Sequence, residues 1–173
     1  MDIFLEILKY ALPSIFLLIL CYMMLANFMD NEEKRRSYFL KKETQKSALP
    51  IRMQAYERIT LFLERINPDR LLPRLSSKGM NVQQFHNLLV NTIRMEFEHN
   101  LSQQIYISED AWRMVIRAKS STVGMINTIA QTLDPKANGI ELSKAILNRT
   151  MEMETSPTHS AVVYLKSEIK RDF

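Results

Sequence analysis

Glycine is scarce in this chain: three residues in 173, Gly79, Gly124 and Gly139, each isolated from the others. No glycine-rich loop is therefore available to cradle the phosphates of a nucleotide. So few turn formers, and so few aromatics in alternating runs, argue for helices over strands. Cysteine is scarcer still. Cys21 stands alone, so the chain has no internal disulfide and nothing in it requires an oxidising compartment. Its place inside an apolar run also removes it as a catalytic thiol. Positive charge is thin at the amino terminus, where Asp2 and Glu6 face a single Lys9. A secretory signal peptide opens on basic residues and ends at a small-x-small site, and Leu25-Ala26-Asn27 matches that poorly.

What is present is a long uncharged run. Tyr10 to Met29 are twenty consecutive residues without a charge, and as a helix they rise about 30 Å, the thickness of a bilayer's hydrocarbon core. The centre, Ile15-Phe16-Leu17-Leu18-Ile19-Leu20, has no polar side chain, unlike the core helix of a small domain. The run reads as a transmembrane helix retained in the mature protein. Pro13 lies near its amino-terminal end, where a missing N–H costs least and a kink is tolerated. Glu6 and Lys9 are spaced to pair at the outer interface, with Tyr10 among the headgroups.

Charge then sets orientation. From Lys34 to Arg74 eleven basic residues face four acidic ones, whereas from Leu75 onward the balance is eleven to ten. Lys34, Arg35, Arg36, Lys41, Lys42 and Lys46 crowd the carboxyl-terminal flank of the span. The positive-inside rule keeps that flank in the cytoplasm and puts the amino terminus outside. The triplets Asn100-Leu101-Ser102 and Asn148-Arg149-Thr150 are then chance matches to a glycosylation signal on the wrong side of the membrane. The same six basic side chains are candidates for contact with anionic lipid headgroups, at about 1 kcal/mol each near the surface. Their plainer role is topological retention. Nucleic-acid binding is disfavoured, although Tyr38 and Phe39 interrupt the charges, because the nearly neutral remainder leaves no broad electrostatic footprint.

With 46% hydrophobic and 24% charged residues, the chain has room for one domain and an anchor. The expected organisation is an anchor over residues 1–30, a basic stalk over 31–49 and a helical domain over 50–173. Asp30–Lys34 and Glu32–Arg36 are acid-before-base pairs that favour a helical stalk, and Pro50 predicts its end near Leu49. Ile51, Ala55, Ile59, Phe62 and Ile66 share one helix face, ending at Asn67-Pro68. Asp69 to Leu75 has room for one short turn of helix, limited by Pro73. A longer helix is predicted over 81–104, with Val82, Phe85, Leu88, Leu89, Ile93 and Phe97 as its stripe. Ser108 caps the next helix, with Glu109 and Asp110 in its first turn. Trp112, Val115, Ile116, Val123, Ile126, Ala130 and Leu133 mark its face, up to Asp134-Pro135. Ile140 to Met153 reads as a further helix. Ser156-Pro157 opens the last one, with Ala161, Leu165 and Ile169 inward. The fold class is all-α, a transmembrane helix and stalk followed by a compact cytoplasmic helical bundle.

Two stretches carry a resemblance. Arg52-Met53-Gln54-Ala55-Tyr56-Glu57-Arg58 through Asn67-Pro68-Asp69-Arg70-Leu71-Leu72-Pro73-Arg74 is one. Glu96-Phe97-Glu98-His99-Asn100-Leu101-Ser102-Gln103-Gln104-Ile105-Tyr106-Ile107-Ser108, with Trp112 following, is the other. Over Leu49 to Asn127 the chain resembles an uncharacterised family of single-span, membrane-anchored proteins from Bacteroidota. That resemblance implies a bacterial inner-membrane setting and brings no activity, cofactor or catalytic residue.

Candidate chemistry is sparse. Glu96 and His99 match the Glu-x-x-His element of di-iron carboxylate bundles, but such sites need the element twice. Gln83 and Ser156 stand where the other two histidines, His86 and His159, would need a glutamate. His86 and His99 are too far apart in sequence for one-face zinc ligation. No nucleophile elbow supports a triad. No catalytic, cofactor-binding or metal-ligating residue is assigned, and eleven methionines serve a core as readily as an adaptable surface.

The expected function is a non-catalytic, membrane-tethered adaptor or scaffold in an inner-membrane protein complex. The alternatives are a structural subunit assembling through its span and stalk, and a metal-dependent enzyme built on Glu96, Glu98 and His99. The candidate surface for an unknown protein partner is the segment of Glu96, Glu98, His99, Asn100, Gln103, Gln104 and Tyr106, with Trp112 one turn beyond. Its polar density and its tyrosine–tryptophan pair suit an interface hot spot, whereas helix capping and a core tryptophan explain the same residues without a partner.

Overall fold

In the computed structural model the backbone is described for residues 2–172, and side chains for all of these except 2–8, 11, 12, 41, 44–46 and 172. The architecture is all-helical, with no strand among the described residues. It divides into two compact units, 1–49 and 50–173.

Helix α1 is assigned over Asp2–Ile66 and contributes to both units. The expected end of the stalk near Leu49 is not seen, since the backbone is helical on both sides of Pro50. Proline removes one hydrogen bond and biases the preceding residue away from helix, but helical turns on either side propagate cooperatively through that local penalty. In the first unit, Pro13–Leu40 is long and apolar enough to cross a membrane, and none of its apolar window is buried. Phe16, Leu18 and Phe28 are each more than 60% exposed. The pairs Asp30–Lys34 and Glu32–Arg36 do not close as ion pairs among the described residues. Such exposed pairs gain only a few tenths of a kcal/mol, about what ordering two long side chains costs.

The second unit starts from the amphipathic part of α1. Ala55, Tyr56, Ile59, Phe62, Leu63 and Ile66 are all buried, at the three- and four-residue spacing that puts them on one face. Ile51, expected on that face, is exposed. It precedes the first turn that other helices cover. Asn67 stops α1 and caps α2 (Pro68–Arg74), its side chain accepting from the Asp69 N–H while Pro68 takes the first helical position, where no donor is needed.

Helix α3 (Val82–Asn100) opens with a capping box: Asn81 accepts from the Gln84 N–H, and the Gln84 side chain accepts from the Asn81 N–H. This satisfies two of the orphan donors at the helix start. The helix does not run to residue 104 as expected. Asn100 departs from α geometry and its side chain donates to the Glu96 carbonyl at 2.8 Å. That bond offers the carbonyl a partner other than the next backbone N–H, and Leu101–Ile105 tightens into a 3-10 helix. Ser108 caps α4 (Glu109–Gln131) by accepting from the Ala111 N–H. Ile116 of α4, expected inside, is 39% exposed. Helix α5 (Gly139–Met151) starts at Asn138. Its Gly139 is pressed against α3, and an added Cβ would lie 3.1 Å from both the Met80 carbonyl oxygen and Phe85. Helix α6 (Pro157–Asp172) completes the unit.

Helix α4 packs on α6, α3 and α5, and α3 also on α5. The shared core includes Phe62, Phe85, Leu89, Ile93, Val115, Ile126, Leu142, Ile146 and Leu165. Leu88, Phe97, Trp112, Val123, Ala130, Leu133 and Ile169 sit half-buried at its margin.

Candidate functional site

The polar segment after α3 separates into inward and outward residues. Glu96 turns inward: its carboxylate pairs with Arg65 at 3.2 Å and with Arg74 at 3.5 Å, and its side chain is only 17% exposed. Arg74 also donates to the Arg65 carbonyl, so Glu96 ties the ends of α1 and α2 to α3. Asn100 and Gln103 are buried, the first bonded to the Glu96 carbonyl and the second to the Ser102 hydroxyl. Trp112 is half-buried and stacks on Phe97, ring centroids 5.5 Å apart, while Phe97 meets Phe62 at 5.8 Å. Glu98, His99, Gln104 and Tyr106 remain on the outside. The His99 Nε2 accepts from the Arg58 guanidinium at 3.4 Å, and the Tyr106 carbonyl accepts from Arg52 Nε at 3.3 Å.

The elements invoked for metal do not converge. Among the described residues no three His, Cys, Asp or Glu side chains are grouped to hold an ion. Glu96 is engaged by two arginines and His99 by a third. Of the basic cluster, Lys34, Arg35, Arg36 and Lys42 are exposed, and Arg35 lies over the Phe39 ring at 5.7 Å. The side chains of Lys41 and Lys46 lie outside the described residues.

A second polar feature joins α1 to α6. Tyr56 and Glu168 are both buried, and the phenol donates to Glu168 Oε1 at 2.9 Å. Burial, then the hydrogen bond to Glu168 and its negative charge, push the phenol up to about 12, against the opposing pull of Arg52. Glu168 Oε2 is buried without a hydrogen-bond partner, a costly position for a carboxylate oxygen. Glu168 falls three residues after Leu165, on the inward face of α6; a charged residue in that register is the signal that exposes the pair in sequence.

The third feature is a groove between α3 and α4, which sequence inspection missed because no single segment contains it. One stretch, about 320 Å³, is bounded by Arg94 and Lys119, and an adjoining one of about 460 Å³ runs past His86 to Gln131. Asn127 lines both, and His86 Nε2 donates across the groove to Asn127 Oδ1 at 2.7 Å.

Comparison with known proteins places the whole of this architecture in one family. A family of unknown function, DUF7935, matches residues 2–172. The chain belongs to that family. The match extends well beyond the Leu49 to Asn127 stretch that carries the resemblance in sequence. No curated protein and no solved structure matches the chain.

Proposed function

We propose that this is a single-span protein of a bacterial inner membrane, and a non-catalytic adaptor that presents its 50–173 domain to a partner complex in the cytoplasm. One observation carries the anchor: the apolar stretch within Pro13–Leu40 is helical and none of it is buried by the chain itself. A buried core helix passes the same test of length and composition, but it hides its side chains. Here Ile15 through Leu20 are all exposed, and water is a poor solvent for that surface. Lys34, Arg35, Arg36, Lys41, Lys42 and Lys46 support an external amino terminus and a cytoplasmic carboxyl terminus. The bacterial setting and the Bacteroidota origin rest on the resemblance alone. The non-catalytic part of this reading is supported by the engagement of Glu96 and His99 with arginines.

Topology is tested with a carboxyl-terminal tag in intact cells: protection from external protease supports the reading, and cleavage overturns it. Reversing the six basic charges should invert a substantial fraction of molecules, read as newly cleavable tag. Replacing Tyr10–Met29 by an unrelated span separates adaptor from structural subunit. The adaptor keeps its complex, whereas a subunit assembling through its span loses it.

A further inference from the structure

The α3–α4 groove combines three properties that bear on a ligand. Arg94 makes no ion pair among the described residues. On the facing helix, the Lys119 ammonium rests over the Phe97 ring at 3.9 Å instead of on a carboxylate. Among the described residues no acidic side chain lines either stretch of the groove, so Arg94 and Lys119 border it without a carboxylate partner. Gly124 lies at its edge, inside the 23-residue helix α4, where a glycine is about 1 kcal/mol less favourable than alanine. Nothing within 4 Å would meet a Cβ there. Packing inside the chain therefore gives no reason for the missing side chain, while a backbone approaching from outside would find room.

We infer that the α3–α4 groove is a docking site for an acidic α-helix of a partner protein, its carboxylates on Arg94 and Lys119 and its backbone close to Gly124. This rests on the adaptor reading and names the surface that reading requires. The dimensions agree: Gln83 to Arg94 spans about 17 Å along α3, three helical turns. Val90, Ile93 and Val123 supply apolar lining and Ser120 an exposed hydroxyl, the mixture by which helix-in-groove interfaces combine affinity with register. A bilayer surface fits less well because the feature is concave. Nucleic acid fits less well because the residues from Leu75 onward are nearly neutral, with no wider basic footprint.

The test uses the full-length chain in native membranes. A photo-crosslinking benzoylphenylalanine is placed at Ser120 in the groove, and separately at Tyr106 outside it, and the crosslinked peptides are sequenced. The expected product from Ser120 is a peptide of another protein with Asp or Glu on one helical face. Arg94→Glu should cut its yield by at least about tenfold, through like-charge repulsion. Changing the facing acid of the partner to Lys should restore the yield. Gly124→Ala, whose added Cβ meets nothing within 4 Å in this chain and so leaves the fold intact, should reduce crosslinking, and the bulkier Gly124→Phe should block it. A basic or neutral peptide, a peptide of a second copy of this chain, nucleic acid or lipid adducts alone, or a yield indifferent to Arg94→Glu, overturns the inference. Protein crosslinks from Tyr106 with none from Ser120 overturn the groove and leave the adaptor standing. None from either position removes both.

Discussion

Two parts of α1 both carry large apolar side chains, nearly unbroken over residues 15–29 and interrupted by Glu57, Arg58, Thr60, Glu64 and Arg65 over 55–66, and they meet opposite fates. Between Ile15 and Met29 the large apolar side chains are exposed, whereas between Ala55 and Ile66 all but Leu61 are buried. The difference lies in pattern. A continuous apolar surface has no polar face to leave in water, so one or two neighbouring helices cannot satisfy it and a bilayer can. A striped surface needs only one covered side, which α3 reaches at Phe62–Phe97 and α6 at Tyr56–Glu168. Apolar content and its angular distribution together distinguish an anchor from a core helix.

The strongest way to break this comparison is to truncate one phenylalanine in each part. Phe62→Ala should lower the unfolding free energy of the domain by about 3–5 kcal/mol, because Phe62 is 1% exposed in the core. Phe16→Ala should leave it unchanged. Trp112, the single tryptophan, reports both in a urea titration of detergent-solubilised protein. Equal shifts would mean that the two parts do not differ as described.

A lysine inserted into each part sharpens the contrast from the other side. Leu18→Lys should cost about 2.5–3.5 kcal/mol at the centre of a span, read as a lower membrane-inserted fraction after alkaline extraction. Leu61→Lys, on the exposed face of the second part, should move domain stability by no more than about 0.5 kcal/mol. Retention of Leu18→Lys at wild-type levels would count against the anchor.

Polar burial separates the parts again, with a smaller expected effect. Tyr56 binds its proton more tightly when folded, up to about 12 against an ordinary 10.0. A raised pKa contributes stability that is fully present below pH 10 and lost as pH rises through 12. Domain stability should fall over that interval, and the fall should be shallower in Tyr56→Phe; parallel profiles would show that the phenol proton is not coupled to folding. A modest shift is expected at the cap of α4, where Ser108→Ala should cost about 1 kcal/mol in the urea titration.

Local chemistry was readable without coordinates. The apolar run, the stop at Asn67-Pro68, the Ser108 cap and the Ser156-Pro157 start each depend on a few neighbouring residues, and hydrogen bonding and sterics within one turn decide them. The inward positions of Ala55, Ile59, Phe62, Val115, Ile126 and Leu165 followed from period alone. Tertiary structure decided what depends on distant residues. Ile51 and Ile116 carry the right spacing yet stay outside, because coverage depends on where the neighbouring helices lie. Glu96 has the look of a surface acid until Arg65 and Arg74 arrive from other helices. The Tyr56–Glu168 pair and the α3–α4 groove each join residues tens of positions apart, and side chains acquire such partners only once the helices have packed.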